Sequence, residues 1–467
     1  MSAAESLVQR LQRRASEPVS GSSLAVFRVL YGLLAFTSAS RALAMGWVDQ
    51  FWVRPEVHLH YFGFEFVEPL SGPLMHGLFV AMAGLGLAIA AGLFTRWAAA
   101  LHLVAFTYVE LLDVSTYLNH YVLFSLLGFW VVVFPTGAAL SLDARRRGRR
   151  AIPRGVLWVL RTQVGLVYVH AALAKVSADW LLHGQPLGIW FGARADLPLV
   201  GGLFTDPWLP WVALMAGWAG FLNDLLAPLL LSARRTRRWM FAVLVFFHGA
   251  TSVLFDIGLF PLIMLSGATL YFAPDWPERL GRRWRRWSPS PSTGATPSFR
   301  FGAIPMALVV GFLAVQAVLP LRAHLYGGNV LWHEQGMRFS WRVLCRAKAG
   351  SVSYRVRWDG HARDLHVSPG SYLDRRQESE MAGQPDLILQ LAHHIAADFR
   401  SRGHRGVEVR VDALASLNGR PMARLVDPDV DLARVRDGFA PASWILPEPP
   451  GPPLRMRPER LVARTNR

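Results

Sequence analysis

Nine runs of apolar residues, separated by charged or polar stretches, constrain this chain more than any other feature. They lie near 24–45, 74–94, 97–113, 119–140, 155–176, 208–231, 239–254, 257–273 and 302–320. A helix needs about 20 apolar residues to cross a bilayer. With no water to bond the backbone there, only helices and closed barrels span it. The pattern therefore predicts a polytopic α-helical membrane protein. The first run starts near Leu24, has no small-residue cleavage site after it, and reads as an anchor rather than a cleaved leader.

Arginine clusters set the expected orientation, because cytoplasmic loops carry the excess of basic residues. Arg10, Arg13 and Arg14 precede the first run, and Arg145, Arg146, Arg147, Arg149, Arg150 and Arg154 fill 142–154. Arg234, Arg235, Arg237 and Arg238 fill 232–238, and Arg279, Arg282, Arg283, Arg285, Arg286 and Arg300 fall in 276–300. All of these are assigned to the inside. The first interspan loop, with Asp49, Glu56, Glu65 and Glu68 against Arg54, is assigned to the outside, as is 177–207 with Asp179, Asp196 and Asp206. Both flanks of 239–273 are arginine-rich, so that stretch crosses an even number of times. It reads as a hairpin with its tip near Phe255-Asp256, and its short arms leave a re-entrant pair open. The sum is about nine crossings, with the N-terminus inside and 321–467 outside.

The net charge of +17 arises mostly in these clusters. They read as topology signals and lipid-headgroup contacts, and no recognition motif accompanies them, so nucleic acid is excluded as a partner. The single Cys345 excludes an intrachain disulfide and a cysteine metal cluster. No histidine pair has i, i+4 spacing in a span, and no metal is expected.

The last part of the chain is of another kind. Residues 351–358 alternate and end at Asp359-Gly360, a strand and turn. Residues 407–412 alternate again, and Asn418-Gly419 is a hairpin turn. Between them, Pro385 to Phe399 has helical apolar spacing with proline at its start. The expected organisation is a tail at 1–23, a helical membrane domain at 24–320, an outer-face α+β domain at 321–445 and a Pro/Arg-rich tail at 446–467. Residues 287–299, rich in Ser and Pro, read as a flexible inner linker, and 447–453 as extended or disordered.

Polar side chains inside the runs need partners or a task. Arg28 with Glu110 or Asp224 is an expected structural ion pair. Of 49 basic residues only Lys175 and Lys348 are lysines. Arginine keeps its proton in proteins, whereas a desolvated lysine can give it up and act as base or nucleophile. Lys175 closes an apolar run, so it is either such an amine or an interfacial lysine that snorkels. Asn119, His120 and Lys175 are expected at the outer ends of their spans and His248 in the outer half of its own, a depth at which they can share one outward-facing pocket.

These positions carry a resemblance. Ala174-Lys175-Val176-Ser177-Ala178-Asp179-Trp180 resembles the Lys-x-x-Ala-Asp-Trp motif of the vitamin K-dependent gamma-carboxylases, members of the HTTM superfamily. Residues 26–32, Asn119-His120-Tyr121, Arg161-Thr162-Gln163 with Tyr168, and Phe247-His248 resemble that family's spans. Residues 336–341, 416–420 and 427–431 resemble its extramembrane domain, so the likeness covers about 25–435.

The resemblance implies an enzyme of the carbon–carbon lyase class. It would couple oxidation of reduced vitamin K by oxygen, giving the epoxide, to carboxylation of a glutamate in a peptide or protein with carbon dioxide. Lys175 matches the family's base toward the hydroquinone and His120 an active-site histidine. Asn119, Tyr168, His248, Arg161 and Gln163 are the expected quinone-binding residues. Membrane lipids are expected partners, and the arginine bias points to a bacterial homologue in an inner membrane, with the C-terminal domain on the periplasmic or outer face.

The chain also departs from that pattern. It stops soon after Asp427-Pro428, where animal carboxylases continue into a larger luminal region, and one cysteine cannot form the family's disulfide. Two other readings therefore stand beside the carboxylase: a quinol epoxidase or oxidase without peptide carboxylation, and a non-enzymatic HTTM binder of a lipid or partner. Lys175 with His120 disfavours the binder, and a peptide-facing surface around 332–341 favours the carboxylase.

Overall fold

The computed structural model describes residues 6–148, 150–283, 301–361 and 363–453. The linker expected at 287–299, Arg149, Arg285, Arg286, Arg300 and the tail from 454 lie outside the described residues.

Each apolar run coincides with a helix: α1 (Ser22–Ala44), α2 (Gly72–Ala91), α3 (Thr95–Leu112), α4 (Asn119–Val133), α5 (Arg154–Ala174), α6 (Leu209–Ser232), α7 (Arg237–Leu254), α8 (Phe260–Thr269) and α9 (Ala303–Val318). Among the described residues, five helices are long and apolar enough to cross a membrane: α1, α2, α5, α6, and α9 together with the turn that prolongs it to Tyr326. α7 and α8 pack together and are joined by 255–259, so the stretch 239–273 does contain two helices. The ten residues of α8 rise only about 15 Å, half the apolar thickness of a bilayer.

α1 and α2 cross with their backbones touching. A Cβ on Gly32 would fall 2.4 Å from the Ala90 nitrogen, and one on Gly86 would fall 2.5 Å from the Phe36 nitrogen. Small residues at such a crossing let two helices approach closely, which is how apolar helices associate where lipid offers no hydrophobic drive.

Arg28 does not pair with Glu110 or Asp224, contrary to expectation. Its guanidinium donates to the carbonyls of Ala90 (3.2 Å), Leu140 (2.6 Å), Ala139 (3.3 Å) and Thr136 (3.4 Å). Arg28 lies one turn and a half into α1, beside the end of α2 and the loop after α4. Carbonyls there have no intrahelical partner, and a buried fork of donors satisfies several at once.

At that end of the bundle, Pro18 and Val19 pair with Pro153 and Ile152, and Ser22 donates to Glu278 at 2.5 Å. The N-terminal tail, the loop before α5 and the segment after α8 are thus tied together.

The C-terminal region is a four-stranded antiparallel sheet of β1 (Lys348–Arg357), β2 (Leu365–Val367), β3 (Glu408–Leu417) and β4 (Ala423–Arg424), in the order β2-β1-β3-β4. Tyr354 lies opposite Val411 and Val356 opposite Val409. These inward side chains are buried together with Leu387, Ile388, Leu391 and Ile395 of α10 (Pro385–Ser401), which covers one face. Asn418 and Gly419 both have positive φ, 51° and 81°, as the tight turn between β3 and β4 requires. Residues 447–453 contain neither helix nor strand.

This domain rests on three loops of the bundle. The Gln390 amide exchanges two hydrogen bonds with the His60 backbone (3.0 and 2.9 Å). Gln377 donates to the Val57 carbonyl (2.8 Å) and to Asp113 at the end of α3 (2.7 Å). The third loop follows Lys175. Between α9 and β1 the chain dips back, and Trp341 is buried in the core of the bundle.

Candidate active site

Lys175 is the residue on which α5 ends, and its side chain does not snorkel. It turns back so that Nζ donates to the Ala171 carbonyl (3.1 Å) and to Asp224 Oδ2 (2.7 Å), with the side chain 7% exposed. Asn223 Nδ2 holds the other Asp224 oxygen at 3.2 Å, and the Trp180 ring lies under the amine at 5.4 Å.

Lys175 stands at the end of its own helix and, at the same time, beside the middle of a longer neighbouring one. Asp224 is 15 residues into α6, about 22 Å along it at 1.5 Å per residue. The first half of α6 therefore projects past the end of α5. The segment after Lys175 folds back along it, with Trp180 Nε1 donating to the Gly217 carbonyl (2.8 Å) and Trp218 Nε1 to the Leu181 carbonyl (3.0 Å).

The amine opens into a cavity of about 200 Å³. Its walls are apolar, from Ala216 and Gly220 of α6, Phe247 and Leu254 of α7, Phe260 of α8 and Leu344 from the C-terminal region. Tyr168 and His248 line it too, with the Tyr168 hydroxyl 3.4 Å from His248 Nε2, while His248 Nδ1 is buried without a hydrogen-bond partner among the described residues.

Asn119 and His120, at the start of α4, line a second, larger cavity of about 670 Å³. Asn119 Oδ1 accepts from the Tyr117 hydroxyl at 3.0 Å. The two cavities share Ile257, Phe260, Val343 and Leu344. The Phe260 ring stands between the two histidines, with centroids 5.7 Å from His120 and 6.0 Å from His248. The four nitrogen-bearing residues of the expected common pocket are thus placed in two adjoining cavities. Arg161 and Gln163 line neither. Arg161 donates to the carbonyls of Leu270 (2.8 Å) and Phe272 (3.1 Å), and Gln163 accepts from Trp130 at 3.2 Å. His170 faces the Ala317 backbone instead of the amine.

Sequence reading missed three contributors. Asp224, expected beside Glu110 as a possible partner of Arg28, holds Lys175 instead. Trp180 belongs to the quoted motif, yet nothing in its spacing says that it packs under the amine. Residues 342–344 come from a segment with no periodicity. Its non-glycine residues Phe339, Trp341 and Leu344 hold left-handed backbone at φ 59°, 59° and 55°, conformations of about 1–3 kcal/mol each that cluster at functional sites.

Asp179 ties this region to the C-terminal domain. Its carboxylate accepts from Arg420 Nη1 (2.6 Å) and Nη2 (2.7 Å) and from Asn418 Nδ2 (2.9 Å). Burial pushes the Asp179 carboxyl up, but the bonds from Arg420 and Asn418 outweigh it and hold it below the usual carboxylate range.

Known families match both parts of the chain. The HTTM domain matches residues 16–276, more than half of it, and the lumenal domain of vitamin K-dependent gamma-carboxylase matches residues 302–450. No solved structure matches significantly. An HTTM domain followed by that lumenal domain makes this chain a member of the vitamin K-dependent gamma-carboxylase family.

Proposed function

We propose that the chain is a membrane-embedded vitamin K-dependent γ-glutamyl carboxylase that forms the quinone epoxide with oxygen and adds carbon dioxide to peptide glutamate. The observation that carries this reading is the Lys175–Asp224 pair at 2.7 Å, facing an otherwise apolar cavity. Moving one proton across that bond turns an ion pair into a neutral amine beside a carboxylic acid. In water this is unfavourable. Where charges are poorly solvated, the penalty on the ion pair brings the two forms closer together. The free amine can then take a phenolic proton, and Asp224 holds the one displaced. Trp180 and the Ala171 carbonyl fix the amine's direction.

Lys175, Tyr168 and His248 would hold reduced vitamin K, whose oxidation supplies, when it is bound, the strong base for the γ-proton of glutamate. The site suits such a group: its walls are apolar, and His248 Nδ1 is a buried polar atom with no hydrogen-bond partner among the described residues. The same walls keep water from a strong base. His120 stands across Phe260, where a glutamate side chain in the larger cavity would meet it.

The topology we propose has nine crossings, the arginine-rich loops inside and the sheet domain outside, in a bacterial inner membrane. The proposed units are a membrane domain at 24–320 and an outer domain at 321–445. It is supported by the contacts at both ends: the arginine-rich segments tie to one another, and the three loops under the sheet domain are acidic ones or their neighbours.

Purified protein in nanodiscs, given reduced vitamin K, oxygen, labelled bicarbonate and a Glu peptide, should yield epoxide and fixed label together. Lys175→Ala should abolish both, with partial rescue by small amines. Lys175→Arg should be as inactive, because the guanidinium keeps its proton. Full epoxidation by Lys175→Arg would overturn the free-amine mechanism, and epoxide without label in the wild type would leave a quinol epoxidase.

A further inference from the structure

The turn between α3 and α4 orders the Asn119 side chain through a residue that the chemistry around Lys175 does not use. Tyr117 sits in that turn, on backbone that Asp113 holds. Ser115 donates to the Asp113 carboxylate through its N–H (2.8 Å) and its hydroxyl (2.6 Å), and the Tyr117 N–H closes on the Val114 carbonyl (3.1 Å). The Tyr117 ring packs edge-on to Tyr61 and Phe339, with centroids 6.4 and 5.8 Å away. Its hydroxyl has two partners. The Phe339 N–H donates to it at 2.7 Å, and Asn119 Oδ1 lies 3.0 Å from it.

The proton positions follow from these partners. A backbone N–H can only donate, so the Tyr117 oxygen accepts on that side. The hydroxyl has one proton, and it is left for Asn119. Burial pushes the hydroxyl up to about 12, so it keeps that proton at neutral pH. The Asn119 atom facing it is therefore the oxygen, and Nδ2 with its two N–H groups is the free end. Nδ2 donates to no group among the described residues, and Asn119 lines the larger cavity next to His120. Without the Phe339 N–H, the tyrosine oxygen would be free to accept from Nδ2, and the amide would turn over at little cost, because its two ends have nearly the same shape. Phe339 holds its left-handed backbone, φ 59°, at this contact, and strain of that kind persists where a site uses it.

We propose that Tyr117 is a positioning residue for Asn119: with the Phe339 N–H behind it, its hydroxyl fixes the amide so that Nδ2 donates into the larger cavity. Asn119 is thereby a donor only. It favours a reactant oxygen on which negative charge grows, and disfavours one that presents a proton. This rests on the carboxylase reading and adds what sets the polarity of that wall. Phe339 belongs to the segment after α9, so the donor is set only while that segment is docked on the bundle.

The test is a double-mutant cycle on the full chain in nanodiscs, read as fixed label at saturating quinol and peptide and as hydrogen exchange at the Phe339 amide. Tyr117→Phe keeps the ring and removes the hydroxyl. It should lower kcat about 10-fold, the upper range for one hydrogen bond, and leave both KM values within about threefold. Asn119→Ala should lower kcat at least as far. Adding Tyr117→Phe to it should cost less than about a further twofold, because Tyr117 acts through Asn119. Asn119→Asp, which keeps the shape without the N–H groups, should match Asn119→Ala. The Phe339 amide should lose protection in Tyr117→Phe and keep it in Asn119→Ala, while unchanged protection of β1 and β3 shows that both variants are folded. A wild-type kcat in Tyr117→Phe overturns the positioning role, as do losses that multiply in the double variant. A Phe339 amide equally protected with and without the hydroxyl overturns it too. A wild type that forms neither epoxide nor fixed label would sink the carboxylase reading, and the exchange pattern then decides the hydrogen-bond chain by itself.

Discussion

At the scale of the residue, Lys175 shows what composition reveals and what it hides. A chain that otherwise uses arginine, yet places a lysine at the end of an apolar run, marks that position for a proton-transfer task or a snorkelling one. The structure decides against snorkelling, since Nζ turns inward to Asp224 and Ala171. The carboxylate was not legible, because depth along a span was counted from helix ends that do not lie level. If Asp224 takes the proton that frees the amine, Asp224→Asn should lower epoxide formation about 100-fold, a typical share for general acid–base catalysis. Asp224→Glu, which keeps an acceptor, should retain more. The readout is single-turnover epoxide formation at saturating quinol. Wild-type rates in the Asn variant would show that the amine needs no proton acceptor beside it. The same limit applies to the arginines: a buried one is visible in a sequence, but whether carbonyls or carboxylates satisfy it is not. Arg28, answered by four carbonyls, and Arg342, with no ion pair among the described residues, read alike as letters.

At the scale of the element, helices were the most legible feature. Apolar runs must become helices in lipid, and every one of the nine did, with ends shifted by up to seven residues where caps and turns intervene. The strands and the Asn418-Gly419 turn were legible for an equally local reason, period-two alternation and a positive-φ pair. Which helices touch, and how closely, was not local and was not read. The Gly32–Gly86 crossing gives that closeness a number. Gly32→Ala would place a Cβ 2.4 Å from the Ala90 nitrogen and force α1 and α2 apart. Overpacking of this kind costs about 1–3 kcal/mol. Gly84→Ala, on α2 with nothing within 4 Å, should instead be neutral or stabilising, because alanine favours a helix over glycine. Thermal midpoints in one detergent compare the two variants. A Gly32→Ala midpoint equal to that of Gly84→Ala would mean that the crossing is loose. The crossing supports α1, which lines the larger cavity through Leu34 and Arg41, so the Gly32 variant should also weaken Glu-peptide binding.

At the scale of the whole molecule, the cavities belong to neither part alone. Helices supply Lys175, Asp224, His120 and His248, while Arg342, Val343, Leu344 and Arg376 come from beyond α9. The sequence showed two units, but the seam between them could not be seen, because its contacts join residues far apart in the chain. One of these contacts lies four residues after Lys175: Asp179 held by Arg420 and Asn418. Asp179→Asn keeps the shape and removes the charge. It should destabilise the docked state by about 3 kcal/mol, the lower end for breaking a buried pair, since Glu448 remains 3.5 Å from Arg420. The Asp179 carboxyl is held low in the folded protein, so its contribution is complete above about pH 4, the ordinary carboxylate value. It is lost as pH falls through the depressed folded value. The gap in thermal midpoint between wild type and Asp179→Asn should therefore be wide at pH 7 and close progressively below about pH 4. A gap that stays constant down to pH 3 would mean that the carboxylate's charge does not hold the two parts together, and that the sheet domain rests on the bundle through contacts such as those of Gln377, Gln390 and buried Trp341.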